Sequence, residues 1–325
     1  MPLLATSDLS GYLQQLTIKL ATGIGRLPES VRQLHIDYLL QAQQPDGGFR
    51  GRDGESDLYY TSFALRGLAI LGELYGPTAE KAAEFLSAQM KQHQSIVDFF
   101  SLFYGASLVK AAAGIDLFEK SDPAWQQQVA DLLNSLRRDD GGFAKAPEGK
   151  FGSTYNSFLV MLVLQLIEHP IQKPERIVEF LNSQMAEDGG WREIKVSKRA
   201  GTNPTAAAAA SLQMIDSVDQ ETADLTIDFL LDMQTDEGGL RANTRIPIAD
   251  LLSSFTGGLT LLDFGAFHEL DVESFQRFTN SLQLDGGGFM AAAWDESHDV
   301  EYTFYGLGCL ALIENHKTAM ETSGE

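Results

Sequence analysis

Four acidic residues stand at the start of strongly apolar segments: Asp57, Asp98, Asp250 and Asp299. A carboxylate placed there can cap a helix by accepting from free backbone N–H groups. Gathered at one end of a bundle, four of them would instead form an acidic rim that favours a cation or a metal-bound ligand over a bare diphosphate. Aromatic side chains crowd the same segments, among them Tyr59, Tyr60, Phe63, Phe100, Tyr104, Tyr155, Phe158, Phe255, Tyr302, Phe304 and Tyr305. Aromatic faces stabilise carbocations and line pockets for apolar ligands, although core packing alone places many of them. Other chemistries find little support. The six histidines (His35, His93, His169, His268, His298 and His316) are scattered without metal-ligand spacing. Cys309 follows Gly308 inside an apolar run and reads as an inert buried thiol. No Ser-His-Asp order, phosphate loop or Cys-Gly-Glu-Gln stretch stands out.

The elements that must position these residues come from an internal repeat. A Gly-Gly-aromatic or Gly-Gly-Leu element recurs as Gly47-Gly48-Phe49, Gly141-Gly142-Phe143, Gly189-Gly190-Trp191, Gly238-Gly239-Leu240 and Gly287-Gly288-Phe289. The last residues are spaced by 94, 48, 49 and 49 positions. The first interval is two periods, so one repeat has lost its glycine turn near Gln94, while its flank Phe85-Leu86-Ser87-Ala88-Gln89 resembles Phe180-Leu181-Asn182-Ser183-Gln184. Each repeat pairs an amphipathic segment, such as Val31 to Gln43, with one that is nearly all apolar, such as Tyr59 to Leu71 or Tyr302 to Ile313. A helix apolar all round is buried on every side. The alternation therefore predicts an all-α toroid of about six helical hairpins, with buried helices inside and amphipathic helices outside. An open solenoid uses a similar vocabulary, but its repeats are shorter and its inner helices face water. Almost no sheet is expected. The domain boundaries follow: 1–29 an N-terminal helical segment packing on the barrel, 30–315 the barrel itself, and 316–325 a flexible acidic tail.

The chain has 325 residues, 44% of them hydrophobic, which is ample for a large core. Its net charge of -21 argues against nucleic acid and anionic membranes. One cysteine excludes an intrachain disulfide and a Cys-rich zinc site. Met1 to Leu20 shows no signal-peptide pattern, and no run of eighteen apolar residues predicts a membrane span. A reducing cytoplasm is the expected compartment.

The turns Gln43-Gln44-Pro45-Asp46-Gly47-Gly48-Phe49 and Gln283-Leu284-Asp285-Gly286-Gly287-Gly288-Phe289 resemble the QW-like repeat of the terpenoid cyclase and prenyltransferase superfamily. Gly48-Phe49-Arg50-Gly51-Arg52, followed by Asp57-Leu58-Tyr59-Tyr60-Thr61, is most similar to protein prenyltransferase β-subunits. The resemblance covers about residues 30 to 315 and implies an α/α barrel around a deep apolar cavity that holds an isoprenoid chain. It also implies a zinc site built from an Asp-x-Cys pair and a later His, where the metal activates a thiolate. Here Asp250 is present, but Leu252 stands at the Cys position and Tyr302 at the His position. No metal ligand set is assigned and no cofactor is expected; zinc stays open as the alternative, with two of the three family ligand positions taken by Leu252 and Tyr302. Arg241 and Arg245 lie in the interval where the family holds a diphosphate with basic residues. The Asp-x-Asp-Asp motif of class II terpene cyclases is missing; Asp139-Asp140 and Asp236-Glu237 belong to repeat turns.

Three readings follow. The first is a barrel binding an isoprenoid-like ligand, with Asp250, Asp299 and Tyr302 as catalytic candidates and Asp57, Tyr60, Tyr155, Arg241, Arg245, Phe255 and Tyr305 as ligand contacts. If it is an enzyme, prenyl transfer or terpenoid cyclisation is the expected class. The second is a non-catalytic binding or assembly subunit with a helical, α-subunit-like protein partner. The third is a toroid acting on carbohydrate through paired carboxylates in an aromatic cleft.

Overall fold

The computed structural model describes residues 11–90 and 95–323. The lost glycine turn expected near Gln94, and His93, lie outside the described residues. The first described helix is α1 (Tyr12–Ile24). Outer and inner helices then alternate: α2 (Glu29–Gln41), α3 (Leu58–Leu71), α4 (Gly76–Gln89), α5 (Ile96–Ala113), α6 (Trp125–Ser135), α7 (Thr154–Leu166), α8 (Pro174–Gln184), α9 (Thr202–Met214), α10 (Gln220–Leu231), α11 (Leu251–Asp263), α12 (Val272–Ser281) and α13 (Val300–Ser323). Among the described residues the only sheet is a hairpin of β1 (Met290–Ala292) and β2 (Asp295–His298). The inner ring is closed: α3, α5, α7, α9, α11 and α13 each pack on the next, and α13 packs back on α3.

The repeated glycine turns make this closure. Each turn loops back on itself by an isolated β-bridge, as in Gln43 with Phe49 and Gln283 with Phe289. The residue after the glycines is fully buried in all five turns: Phe49, Phe143, Trp191, Leu240 and Phe289. Four of these also donate their N–H to a hydroxyl of the following inner helix: Phe49 to Thr61 (2.8 Å), Phe143 to Ser157, Trp191 to Thr205 and Leu240 to Ser254 (each 2.9 Å). The turn then docks on the next outer helix of the ring. Gly287 and Gly288 carry this contact across the seam between the last repeat and the first. Gly287 has φ +86, and a Cβ there would stand 2.1 Å from the Leu34 carbonyl oxygen of α2; one at Gly288 would stand 2.7 Å from the Tyr38 ring. The Gly288 N–H donates to His35 Nδ1 (3.1 Å), and the His35 ring stacks on Phe289 at 4.9 Å.

Two expectations change. Residues 316–323 continue α13 and are not a loose tail. No glycine or proline occurs between Cys309 and Ser323 to stop the helix, and Lys317 pairs with Glu314 at 2.7 Å. The other concerns α5, eighteen residues long and apolar enough to cross a membrane by length and composition. It is a stave of the inner ring, packed between α3 and α7.

The N-terminal helix does more than lie on the barrel. It crosses the end of the ring where the inner helices finish. The Tyr12 N–H donates to Gln165 of α7 (2.8 Å), and the Thr17 hydroxyl pairs with Tyr104 of α5 (3.0 Å). Lys19 pairs with Asp263, the last residue of α11, and Gly23 presses on the α13 backbone at Ala311. Helix α1 is thus a plug that closes one end.

Two outcomes test the seam. Gly287→Ala meets both a positive φ and a backbone oxygen, so it should cost at least about 2 kcal/mol of stability. Gly286→Ala has no atom within 4 Å of the added Cβ and should stay within about 0.5 kcal/mol of wild type. Urea unfolding of both variants measures this. Burial also lowers the His35 pKa to about 4. The folded state therefore binds this proton less readily than the unfolded chain. The seam's contribution is present above the ordinary His range, near pH 6.5, and lost as pH falls toward 4, by up to about 3 kcal/mol. The stability of wild type minus that of His35→Gln, measured by urea unfolding across this interval, should fall by a comparable amount; a flat difference contradicts the assignment.

Candidate functional site

The repeated topology sets all inner-helix starts at the end opposite the plug. Most of the starts are capped in the same way. Asp57 accepts from Tyr60 N–H (2.7 Å), Ser153 from Asn156 N–H (3.1 Å), and Asp250 from Ser253 N–H (2.7 Å) and its hydroxyl (2.8 Å). Asp299 accepts from Glu301 N–H (2.9 Å), Tyr302 N–H (3.0 Å) and Arg52 Nε (3.1 Å), with its side chain fully buried. Capping is the role the geometry gives these acids.

Between the helix starts and the plug lies a cavity of about 420 Å³, lined by residues of all six inner helices and of α1. Its upper ring is built from the second residues of five inner helices: Tyr59, Tyr155, Asn203, Leu252 and Glu301. Below it come Phe63, Phe100, Phe158, Phe255, Phe304 and Tyr305, facing the small side chains Ala206, Ala207 and Ala210 of α9. Tyr12, Leu13 and Leu16 of the plug line the opposite end. The small residues of α9 resolve an alternative that the sequence leaves open: they leave room on that side of the cavity.

Two carboxylates interrupt the apolar wall. Glu301 accepts from the hydroxyls of Tyr59 (2.6 Å) and Tyr305 (3.3 Å). Burial raises its pKa above the ordinary Glu value, opposed by those two hydroxyls and reinforced by nearby Asp299. Glu193, in the loop before α9, accepts from the Ser153 hydroxyl and from Tyr155 N–H (3.4 Å). Burial raises its pKa as well, against the pull of the same two donors. A third charge is Arg66, the ninth residue of α3, buried among the rings of Phe63, Phe100, Tyr104 and Phe304.

The sequence candidates divide accordingly. Tyr155, Phe255 and Tyr305 meet in the cavity. Asp57, Asp250 and Asp299 are engaged as caps. Tyr60 turns its ring to Gly51 and stands edge-on to Tyr59 at 5.4 Å. Tyr302 lies 5.2 Å from the Arg52 guanidinium, outside the cavity lining. Arg241 donates to the Asp232 carbonyl (2.9 Å) and Arg245 is exposed, so the cavity receives neither. Arg66, Glu193 and Glu301 escaped the sequence reading. The available signal for Arg66 was a single charge inside the otherwise apolar run from Leu58 to Leu71.

Zinc needs nitrogen, sulfur or carboxylate donors in tetrahedral array. Leu252 offers only hydrocarbon, Asp250 is spent on α11, and Tyr302 lies against Arg52. His298, the nearest imidazole in sequence, pairs with the Tyr38 hydroxyl at 3.0 Å. The residues at the three implied ligand positions do not fit zinc. Among the described residues, no group of three or more His, Cys, Asp or Glu is placed to hold a metal.

A closed double ring of helices around a cavity defines an α/α toroid. The model of the prenyltransferase alpha-alpha toroid domain family matches residues 16–103, 88–246 and 244–323, and the chain belongs to that family. Protein geranylgeranyltransferase-I of Candida albicans, complexed with GGPP, superposes with a TM-score of 0.69 at 15% identity, covering 94% of this chain and 93% of that one. A variant of the type II terpene cyclase MstE from Scytonema, in complex with geranylgeranyl dihydroxybenzoate, gives 0.62 at 14% identity, covering 93% and 99%. An alpha-1,6-mannanase from Salegentibacter gives 0.56 at 12% identity, covering 92% and 98%. At these identities the likeness is one of fold. No curated protein sequence matches.

Glu301 yields a pH test. Its folded pKa stands above the unfolded value, so its contribution to stability falls as pH rises through the interval between the two. Glu301→Gln removes that loss. The variant should gain stability over wild type at about pH 7, and the gain should shrink as pH falls through the ordinary Glu range near about 4. Urea unfolding at both ends checks the sign.

Proposed function

We propose that this toroid binds an isoprenoid or similar apolar chain in its central cavity. The observation that carries the reading is the cavity itself: about 420 Å³, walled by aromatic and aliphatic side chains of every inner helix and closed at one end by α1. That volume falls within the range of small-molecule sites, roughly 300–1,000 Å³. Two structural neighbours bound to geranylgeranyl compounds share the architecture. Fold alone does not license function, so the weight rests on the lining. Zinc-dependent prenylation lacks its ligands here.

Native mass spectrometry with farnesol and with geranylgeraniol tests the reading. Wild type should bind one molecule per chain. Ala210→Phe places a ring in the free space and should weaken binding at least tenfold, while stability falls by less than about 1 kcal/mol. Absence of binding to wild type, or equal binding by the variant, would contradict the proposal.

A second reading adds a protein partner at the mouth. Exposed apolar side chains recur in the loops leading into four inner helices: Phe151 (53% exposed), Val196 (68%), Ile246 (38%) and Trp294 (62%). Apolar side chains gathered at one end of a protein mark an interaction surface, and these four sit in loops at the end where the inner helices start. Size-exclusion chromatography of the chain purified from its native cells tests it. Elution as a 35.6 kDa monomer would contradict it, and a larger complex containing a second chain would support it.

A further inference from the structure

Arg66 is a charge without a carboxylate. It is 8% exposed and lines the cavity. Its Nη2 donates to Ser62 Oγ at 2.9 Å, while its Nε has no partner. Among the described residues, no carboxylate lies within ion-pair distance of it. Four rings surround the guanidinium, with centroids at 4.3 Å (Phe63), 4.9 Å (Phe100 and Tyr104) and 5.8 Å (Phe304).

Unpartnered donors also occur on Arg32, Arg137 and Arg241, but none of these lines the cavity, and Arg138 gives the opposite extreme. Arg138 spends its donors on five backbone carbonyls, those of Gly149, Ser135, Arg137, Ala146 and Pro147. Arg66 receives nothing comparable. Aromatic faces sustain its charge but leave its Nε without a partner, and a guanidinium fork is shaped for bidentate contact with a carboxylate or a phosphate. Its pKa is pulled below the ordinary value by burial, only partly offset by the surrounding tyrosines.

Depth sets the orientation. Arg66 is seven residues beyond Tyr59 on α3, about 10 Å further into the barrel at roughly 1.5 Å per residue. Tyr104, one of its four rings, is the residue that pairs with Thr17 of the plug. The mouth carries Glu193 and Glu301, and Arg52 is paired with Asp299. An anionic head left at the mouth therefore meets carboxylates, whereas one carried inward meets a guanidinium without a carboxylate partner.

We infer that the ligand of this cavity is an amphiphile with a carboxylate head, held inside the barrel by Arg66, its apolar chain lying against the aromatic wall. This rests on the reading of the cavity as an isoprenoid-like binding site and names the chemical class of ligand it takes. A carboxylate fits the single cation better than a diphosphate, whose larger charge would remain mostly uncompensated among the rings.

Farnesoic acid and farnesol share a chain and differ only in the head, so isothermal titration of the intact protein with each, at a pH where the acid is ionised, isolates the head. The acid should bind at least tenfold more tightly. In Arg66→Met that preference should vanish through loss of acid affinity, with farnesol affinity changed less than threefold. In Arg66→Lys, which keeps the charge, part of the preference should return. Equal affinities of wild type for the two ligands would overturn the inference and leave the barrel reading standing. So would an acid preference that survives in Arg66→Met. Binding of neither ligand by wild type would overturn the barrel reading as well. The wild-type comparison decides the matter even if a variant fails to fold.

Discussion

The docking of each glycine turn on the neighbouring outer helix is the contact that the rest of the structure depends on. A helical hairpin with one wholly apolar helix cannot stand alone; it must bury that helix against others. The first glycine of each turn lets the chain pass against a backbone carbonyl of the next outer helix, where a side chain would collide: Lys81 for Gly47, Arg176 for Gly141, Leu225 for Gly189, Ser274 for Gly238. The buried residue that follows ties its N–H to a hydroxyl of the inner helix in four of the five turns. At Gly287 the same contact reaches Leu34, near the start of the chain, and the row becomes a ring. His35, Tyr38 and Phe289 reinforce that seam, where the two ends of the repeat meet.

A closed ring has two ends, and the chain treats them differently. The inner helices start at one end, where Asp and Ser caps satisfy their free N–H groups. The opposite end is closed by α1: its Thr17 and Lys19 side chains reach Tyr104 and Asp263, and the Asn315 side chain donates to the Lys19 carbonyl. The space between is apolar because each inner helix turns an apolar stripe inward, and it stays open because α9 contributes alanines where α3, α7, α11 and α13 contribute rings. Chemistry is thereby confined to a few polar groups: two carboxylates with pKa values raised by burial near the mouth, and one guanidinium far inside.

The repeat made the fold legible. Five Gly-Gly turns spaced by one or two near-constant periods, with helices alternately apolar all round and amphipathic, leave little but a toroid. The site was legible in part, and the pattern of what was missed has a cause. Tyr155, Phe255 and Tyr305 line the cavity because they stand on inner helices, which must line whatever cavity exists. The acids at 57, 250 and 299 drew attention by their regular placement, but regular placement is also what capping produces. Arg241 and Arg245 match a family pattern in sequence, but neither lines the cavity. Arg66 gives little signal in sequence because one charge in fourteen residues leaves an apolar helix looking apolar. The plug was out of reach for a different reason: α1 lies outside the repeat, and no periodicity says where such a helix will dock.

The central claim is that the space between the upper ring and α1 is a ligand site. A crystal structure of the protein grown with geranylgeraniol tests it most directly. The account predicts continuous density for one chain between Tyr59, Phe255 and Phe304, ending above Tyr12 and Leu16. A cavity filled by rearranged side chains, with the lipid absent or bound on the outer helices, would contradict it.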